Sequence, residues 1–361
     1  MYKDTKYFKN KKIIITGHTG FKGSWLALWL HSLGAEVLGL SKDVPTQPSH
    51  FKILKLEKKI KSKKINLTNY QQFKNHIIKF KPDFIFHLAA QSIVKKSYTI
   101  TKETWESNLI STINLLESLK PVRKKTNVII ITSDKVYKNI ETKKGYQEND
   151  RLGGLDPYGA SKSATEIAIQ SYINSFFQNK NNNIRICTAR AGNVIGGGDW
   201  SPDRLIPDCI RSWSKNKTVK IRNPNSTRPW QHVLEVIFGY LTLAINLKSF
   251  SKLHGESFNF GPKYHNYKVS EVLNEIKKIW PSIKWNYDRN TKFKENQLLN
   301  LNSKKAYKVL RWKQTLTFKE QIKMVVNWYK FFSKDKKSIY NKSLEQINHY
   351  RDLVYKKRNF F

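Results

Sequence analysis

The chain has 361 residues, 39% hydrophobic and 13% aromatic, enough to bury the core of a large α/β domain plus a smaller lobe and too apolar for a disordered chain. Its two cysteines, Cys187 and Cys209, exclude a disulfide framework, and apolar runs such as Val128-Ile129-Ile130-Ile131 are strand-sized, too short for a membrane span. A formal net charge of +39 suits nucleic acid, but the lysines are scattered over nearly every predicted helix and loop without a recognition module, so the reading is a solvated basic surface with no specific nucleic-acid partner.

Residues 1–12 are polar and lysine-rich with no signal-peptide core, so a cytoplasmic location is expected. Strand-like runs then alternate with amphipathic helical stretches, the pattern of βαβ units and a doubly wound parallel sheet. Lys12–Thr16 reads as the first strand, followed by Gly17-His18-Thr19-Gly20-Phe21-Lys22-Gly23 and a helix over Phe21–Leu33. Glycine suits a tight turn at 17, backbone approach to a pyrophosphate at 20 and helix-on-strand packing at 23, which makes this a dinucleotide cradle. The second strand, Glu36–Leu40, leads to Lys42 and Asp43. Asp43 suits an adenosine ribose and Lys42 a 2′-phosphate, so this end fits NAD or NADP.

Strand Lys64–Asn66, helix Tyr70–Phe80, strand Asp83–Leu88, helix Trp105–Leu119, strand Asn127–Ser133, helix Tyr158–Phe177 and strand Asn183–Ala191 follow. The loop Gly196-Gly197-Gly198 breaks the alternation, and helix Val233–Leu247 with strand Ser257–Phe260 resumes it. Val269–Trp280 and Phe318–Phe331 read as helices of the smaller lobe. The expected division is a Rossmann-type domain over 8–191 rejoined by 231–262, an α/β substrate lobe from 192–230 and 263–332, and a basic helical appendage over 333–361.

Tyr158-Gly159-Ala160-Ser161-Lys162 places a phenol and an ammonium one turn apart on one helix face. The cation favours the phenolate of a group whose ordinary pKa is near 10, which makes a base of it. Ser133, at a strand end facing the ligand crevice, can hydrogen-bond the reacting hydroxyl, and Asn108 can fix the lysine through solvent.

The glycine turn, His87-Leu88-Ala89-Ala90-Gln91, the Ser133 segment, YxxxK and Arg228-Pro229-Trp230-Gln231-His232-Val233 together resemble the extended short-chain dehydrogenases. The longer strings Gly17–Leu30, Gly153–Tyr158, Ala189–Trp200, Asp203–Asp208 and Arg228–Val233 are similar to that family's CDP-glucose 4,6-dehydratase branch, over roughly residues 8–330. The resemblance implies a redox-neutral, NAD-dependent lyase. Tyr158 takes the proton of the sugar 4-hydroxyl as hydride leaves C4. A base then takes the C5 proton, an acid protonates the departing 6-hydroxyl, and hydride returns to C6.

Asp134 is the implied acid. Lys135 is the implied base, with its pKa depressed by desolvation and a neighbouring cation such as Lys162. The implied NAD contacts are Gly17, Thr19, Gly20, Phe21, Gly23, Asn66, Leu67, Leu88, Ala89, Ala90, Asn108, Tyr158 and Lys162. Gln91, Ser133, Asn193, Arg204, Arg228 and His232 are the implied contacts of a nucleoside-diphosphate sugar, with no metal. Relatives often carry an aspartate after the third strand where this chain has Asn66-Leu67, which alters the adenine contacts. Trp200 and Trp230 either line the sugar and base region or pack the core. A homodimer through Trp105–Leu119 and Tyr158–Phe177 is also implied.

The alternatives are an epimerase or reductase on the same fold, or a dehydratase of dTDP-, UDP- or GDP-sugars. Asp134-Lys135 speaks against an epimerase, which needs neither a C5 base nor a C6 acid. A non-catalytic nucleotide- or nucleic-acid-binding protein would have no use for Tyr158 and Lys162.

Overall fold

The computed structural model describes residues 7–142, 144–179, 182–249, 251–262, 267–288 and 299–358. Seven parallel strands form its central sheet: β1 (Lys12–Thr16), β2 (Glu36–Ser41), β3 (Lys61–Lys64), β4 (Phe84–His87), β5 (Thr126–Ile131), β6 (Ile184–Ala191) and β7 (Ser257–Phe260). Their order across the sheet is β7-β6-β5-β4-β1-β2-β3. The winding reverses between β1 and β4, which opens a ligand crevice above the carboxyl ends of those two strands.

Period-two alternation deals the sheet's side chains to two layers. Ile14, Ile85, Val128 and Ile130 pack with α2 (Tyr70–Phe80), α3 (Ser111–Leu119) and α4 (Pro157–Tyr172). Ile13, Ile15, Phe86 and Ile129 pack with α1 (Phe21–Ser32) and α6 (Val233–Ser249). Outside the central sheet lie α5 (Leu205–Trp213), α7 (Val269–Ile279), α8 (Phe318–Lys334) and short strand pairs. No helix among the described residues is long and apolar enough to cross a membrane.

Two expected elements differ in detail. The third strand lies at Lys61–Lys64, not Lys64–Asn66, and is a lysine-bearing sheet edge that repels further pairing. The expected helix Trp105–Leu119 begins earlier, at Thr101, and widens to a π-turn over Glu106–Ile110 before α3. Such turns recur at functional sites, and this one contains the fully buried Asn108.

The segment after Ser333 is no free appendage. Helix α9 (Ile339–Arg358) packs against α1 and α8, burying Ile339, Ile347, Tyr350 and Val354. Tyr350 Oη donates to Glu235 Oε2 at 2.7 Å, and Glu235 Oε1 accepts from the backbone N–H groups of Thr315 and Leu316 at 2.8 and 2.6 Å.

Burial lifts the Glu235 carboxyl from 4.5 to about 7, so the folded chain holds its proton more tightly than the unfolded chain does. Stability from this group therefore falls as pH rises from about 4.5 to about 7, and stays flat above. Glu235→Gln keeps the acceptor for Thr315 and Leu316 and removes the titration. Between pH 5 and pH 8 the native chain should lose up to about 3 kcal/mol that the variant retains, read as the difference in urea unfolding.

Candidate active site

The glycine-rich turn is built as a cradle. Gly17 has φ +70°, and a Cβ there would lie 2.8 Å from Ala89 N; a Cβ at Gly23 would lie 2.1 Å from Gly17 O. At Gly20 the nearest protein atom would be 3.4 Å away, so the protein's own packing does not require glycine there, and the open space suits a ligand's pyrophosphate. Thr16 Oγ1 accepts from the Ala89 N–H at 3.1 Å, fixing the Leu88–Ala90 strand end beside the turn. These residues fit a dinucleotide. His18, in contrast, is a structural residue. It is buried and neutral, bonded to Ser62 Oγ at 2.7 Å and Ser41 Oγ at 2.8 Å, with burial lowering its pKa to about 4.

Ser133 falls two residues beyond the end of β5 and caps a 3₁₀ turn over Asp134–Val136, accepting from the Lys135 N–H at 3.3 Å. Asp156 caps α4 by accepting from the Gly159 N–H at 2.9 Å, with Pro157 in its first turn. The 3₁₀ turn sits on that end of the helix: a Cβ at Gly159 would lie 2.9 Å from Lys135 O. Ser163 Oγ, one turn further on, donates to Val136 O at 2.8 Å.

This packing brings the reactive groups together. Ser133 Oγ donates to Asp134 Oδ1 at 2.9 Å, and its hydroxyl acts on the neighbouring Tyr158 phenol. Ser133, Asp134, Tyr158 and Lys162 are all at least nine-tenths buried. Gly192 leaves room for the acid, since a Cβ there would lie 2.8 Å from Asp134 Oδ2.

Burial raises the Asp134 pKa against the opposing pull of Lys135 and Ser133. It also pushes Tyr158 up to about 12, opposed by the Ser133 hydroxyl. The expected lowering of this phenol by Lys162 is thus absent in the chain alone, where desolvation prevails. Lys162 donates to Ile131 O at 3.3 Å, and burial and the Lys22 charge lower it to about 7. Lys135 is half-buried beside Asp134.

Lys22, which the sequence reading passed over, also belongs to the site. It stands in the first turn of α1, its charge acts on Lys162, Asp134, Asp199 and Arg204, and burial followed by Arg204 lowers it to about 8. Its place inside the glycine motif was the available signal. Glu166 was missed as well: one turn after Lys162, it forms a buried ion pair with Arg190 and accepts from Thr132 Oγ1 at 2.6 Å.

Several expected contacts serve other purposes. The Gln91 amide is spent on its own loop, donating to Ile93 O and Thr104 Oγ1, both at 3.1 Å, and accepting from the Ile93 N–H at 2.6 Å. Asn108 donates to Ser161 Oγ at 2.8 Å, next to Lys162, and pairs with the Gln91 backbone. Asn66 caps its own turn by accepting from the Thr68 N–H at 3.2 Å, and Leu67 is buried. His232 is fully buried, with burial lowering its pKa to about 3. Trp200 packs on Tyr329 and Phe332, and Trp230 donates to Tyr267 O at 3.1 Å, so both are packing residues.

Arg204 lies over the site, paired with Asp199 at 3.0 Å and acting on the charges of Tyr158 and Lys22. Asn193 and Arg228 are half-buried, and the Asn193 carbonyl accepts from the Gln231 N–H at 3.1 Å.

Comparisons agree with this fold. The family model described as GDP-mannose 4,6 dehydratase matches residues 14–325. A CDP-glucose 4,6-dehydratase of Salmonella typhimurium is 41% identical over 91% of this chain and 92% of its own length. A CDP-paratose 2-epimerase of Salmonella typhi is 24% identical over 88% of this chain and 98% of its own. Among solved structures, a dTDP-glucose 4,6-dehydratase of Bacillus anthracis in complex with NAD superposes with a TM-score of 0.73 at 18% identity, covering 89% of this chain and 96% of that one. An epimerase of Methanothermobacter thermautotrophicus reaches 0.80 at 20% identity, covering 94% and 96%.

Proposed function

The chain belongs to the GDP-mannose 4,6 dehydratase family, and we propose that it is an NAD-dependent enzyme that removes water from CDP-glucose to give the 4-keto-6-deoxy sugar nucleotide. The observation that carries this reading is the buried cluster of Ser133, Asp134, Tyr158 and Lys162, in which Ser133 Oγ donates to Asp134 Oδ1 at 2.9 Å. It joins the group suited to oxidation at C4 with the group suited to elimination at C6.

NAD, held by the glycine turn and the Leu88–Ala90 strand end, supplies a hydride acceptor for C4 and donor for C6. Around it this chain's residues move protons. Tyr158, in its phenolate form, takes the proton of the 4-hydroxyl, with Ser133 on the same oxygen and Lys162 nearby. Lys135 takes the C5 proton that the 4-ketone makes acidic, and Asp134, kept protonated by burial, gives its proton to the departing 6-hydroxyl. Lys135 returns its proton to C5 as hydride reaches C6. The proton Tyr158 took from O4 passes through Ser133 to restore Asp134. Every proton but those of the released water is recovered.

Asn193, Arg204 and Arg228 lie where a substrate diphosphate calls for donors. The identity to the Salmonella CDP-glucose enzyme supports CDP over other nucleotides. Incubating the protein with NAD and CDP-, dTDP-, UDP- or GDP-glucose, then weighing the products, tests this; loss of one water from CDP-glucose above the others is the expected result. An epimerase would leave every mass unchanged.

We place the enzyme in the cytoplasm as a homodimer. Ile110, Ile167 and Phe176, on the π-turn, α4 and its extension, are exposed apolar residues on the two helices expected to pair. Light scattering should read twice the chain mass.

A further inference from the structure

We propose that the ion pair between Lys42 and Glu103 makes this site select NAD over NADP, by withholding Lys42 from a 2′-phosphate. The inference rests on the dinucleotide reading above and adds to it the residues that set cofactor choice.

The sheet order places β1 between β2 and β4, so the segments following β2 and β4 flank the glycine-rich turn that follows β1. Lys42 immediately follows β2, and Glu103 lies on the short helix Thr101–Trp105 that follows β4. Lys42 Nζ reaches Glu103 Oε1 at 3.0 Å, so the pair ties the segment after β2 to the segment after β4. Thr19 Oγ1 donates to Asp43 O at 2.6 Å, which ties the β2 side of this bridge to the cradle itself.

By sequence alone, Lys42 suits a 2′-phosphate and Asp43 a ribose hydroxyl. In the fold, Lys42 is already neutralised by Glu103, and the carboxylates of Asp43 and Glu106 also act on it. A 2′-phosphate brings a charge of about −1.5 to −2. To bind, it must break the ion pair or sit among three carboxylates. The uncharged 2′-hydroxyl of NAD meets no such barrier. The Lys42 and Glu103 side chains are 55% and 48% exposed, and such surface pairs contribute little to stability. Removing the pair therefore leaves the fold intact, and the effect shows in ligand choice.

The test is calorimetric titration of NAD and NADP, at low salt, into the native chain, Glu103→Gln, and Glu103→Gln combined with Lys42→Met. The native chain should bind NAD at least about tenfold more tightly than NADP. Glu103→Gln should narrow that ratio about tenfold by freeing Lys42, and the added Lys42→Met should cancel the gain. A ratio in Glu103→Gln within about twofold of native overturns the proposal, as does a gain that persists without Lys42. Binding of neither dinucleotide to the native chain would overturn the cofactor reading itself, and this inference with it.

Discussion

Replacing Asp134 by Asn should separate the two halves of the reaction. With CDP-glucose and NAD, the variant should still oxidise C4, so reduced nicotinamide accumulates to about one equivalent of enzyme. Formation of the 6-deoxy product should fall on the order of 10²–10⁴-fold, the usual range for a general acid. Asparagine keeps the shape that Gly192 accommodates and still accepts from the Ser133 hydroxyl, so the fold and the Tyr158 contact survive. What disappears is the acidic proton for the leaving hydroxyl. Stopped-flow absorbance of the dinucleotide, read beside product mass, distinguishes this from general damage. A full dehydration rate would remove Asp134 from the acid role.

Tyr158→Phe should fail earlier. Without the phenol there is no acceptor for the 4-hydroxyl proton, so neither reduced nicotinamide nor product appears, and turnover falls on the order of 10²–10⁴-fold. Phenylalanine leaves Asp134 and its Ser133 contact in place. Substrate affinity should change little, which calorimetry can check. Accumulation of reduced nicotinamide in this variant would assign the first proton transfer to another group.

Much of the fold could be read from apolar periodicity, because strands buried on both faces, such as β5, appear as continuous Ile and Val runs. Periodicity failed at the sheet edge: Lys61–Lys64 lacks an apolar signature and is held to β2 by its backbone and by the Lys61–Glu36 ion pair. It also failed at α9, whose buried Ile339, Ile347, Tyr350 and Val354 are diluted by polar residues that mark a solvated tail in sequence. The glycine turn, YxxxK and the Ser133 segment declared themselves because each needs particular residues at close spacing. Partnerships across long sequence gaps did not. Gln91 looks free for substrate until Thr104 and Ile93 take its amide, and Glu103 gives no sign of meeting Lys42, 61 residues away. The Tyr158 pKa was misjudged for a related reason: helical spacing shows that a cation is near but not how much desolvation opposes it.

The central claim, that one pocket carries hydride from C4 to C6 of the same hexose, is tested most directly with CDP-glucose carrying deuterium at C4. In ordinary water the product should hold that deuterium at C6. Deuterium lost to the medium, or a product still bearing it at C4, would contradict the account.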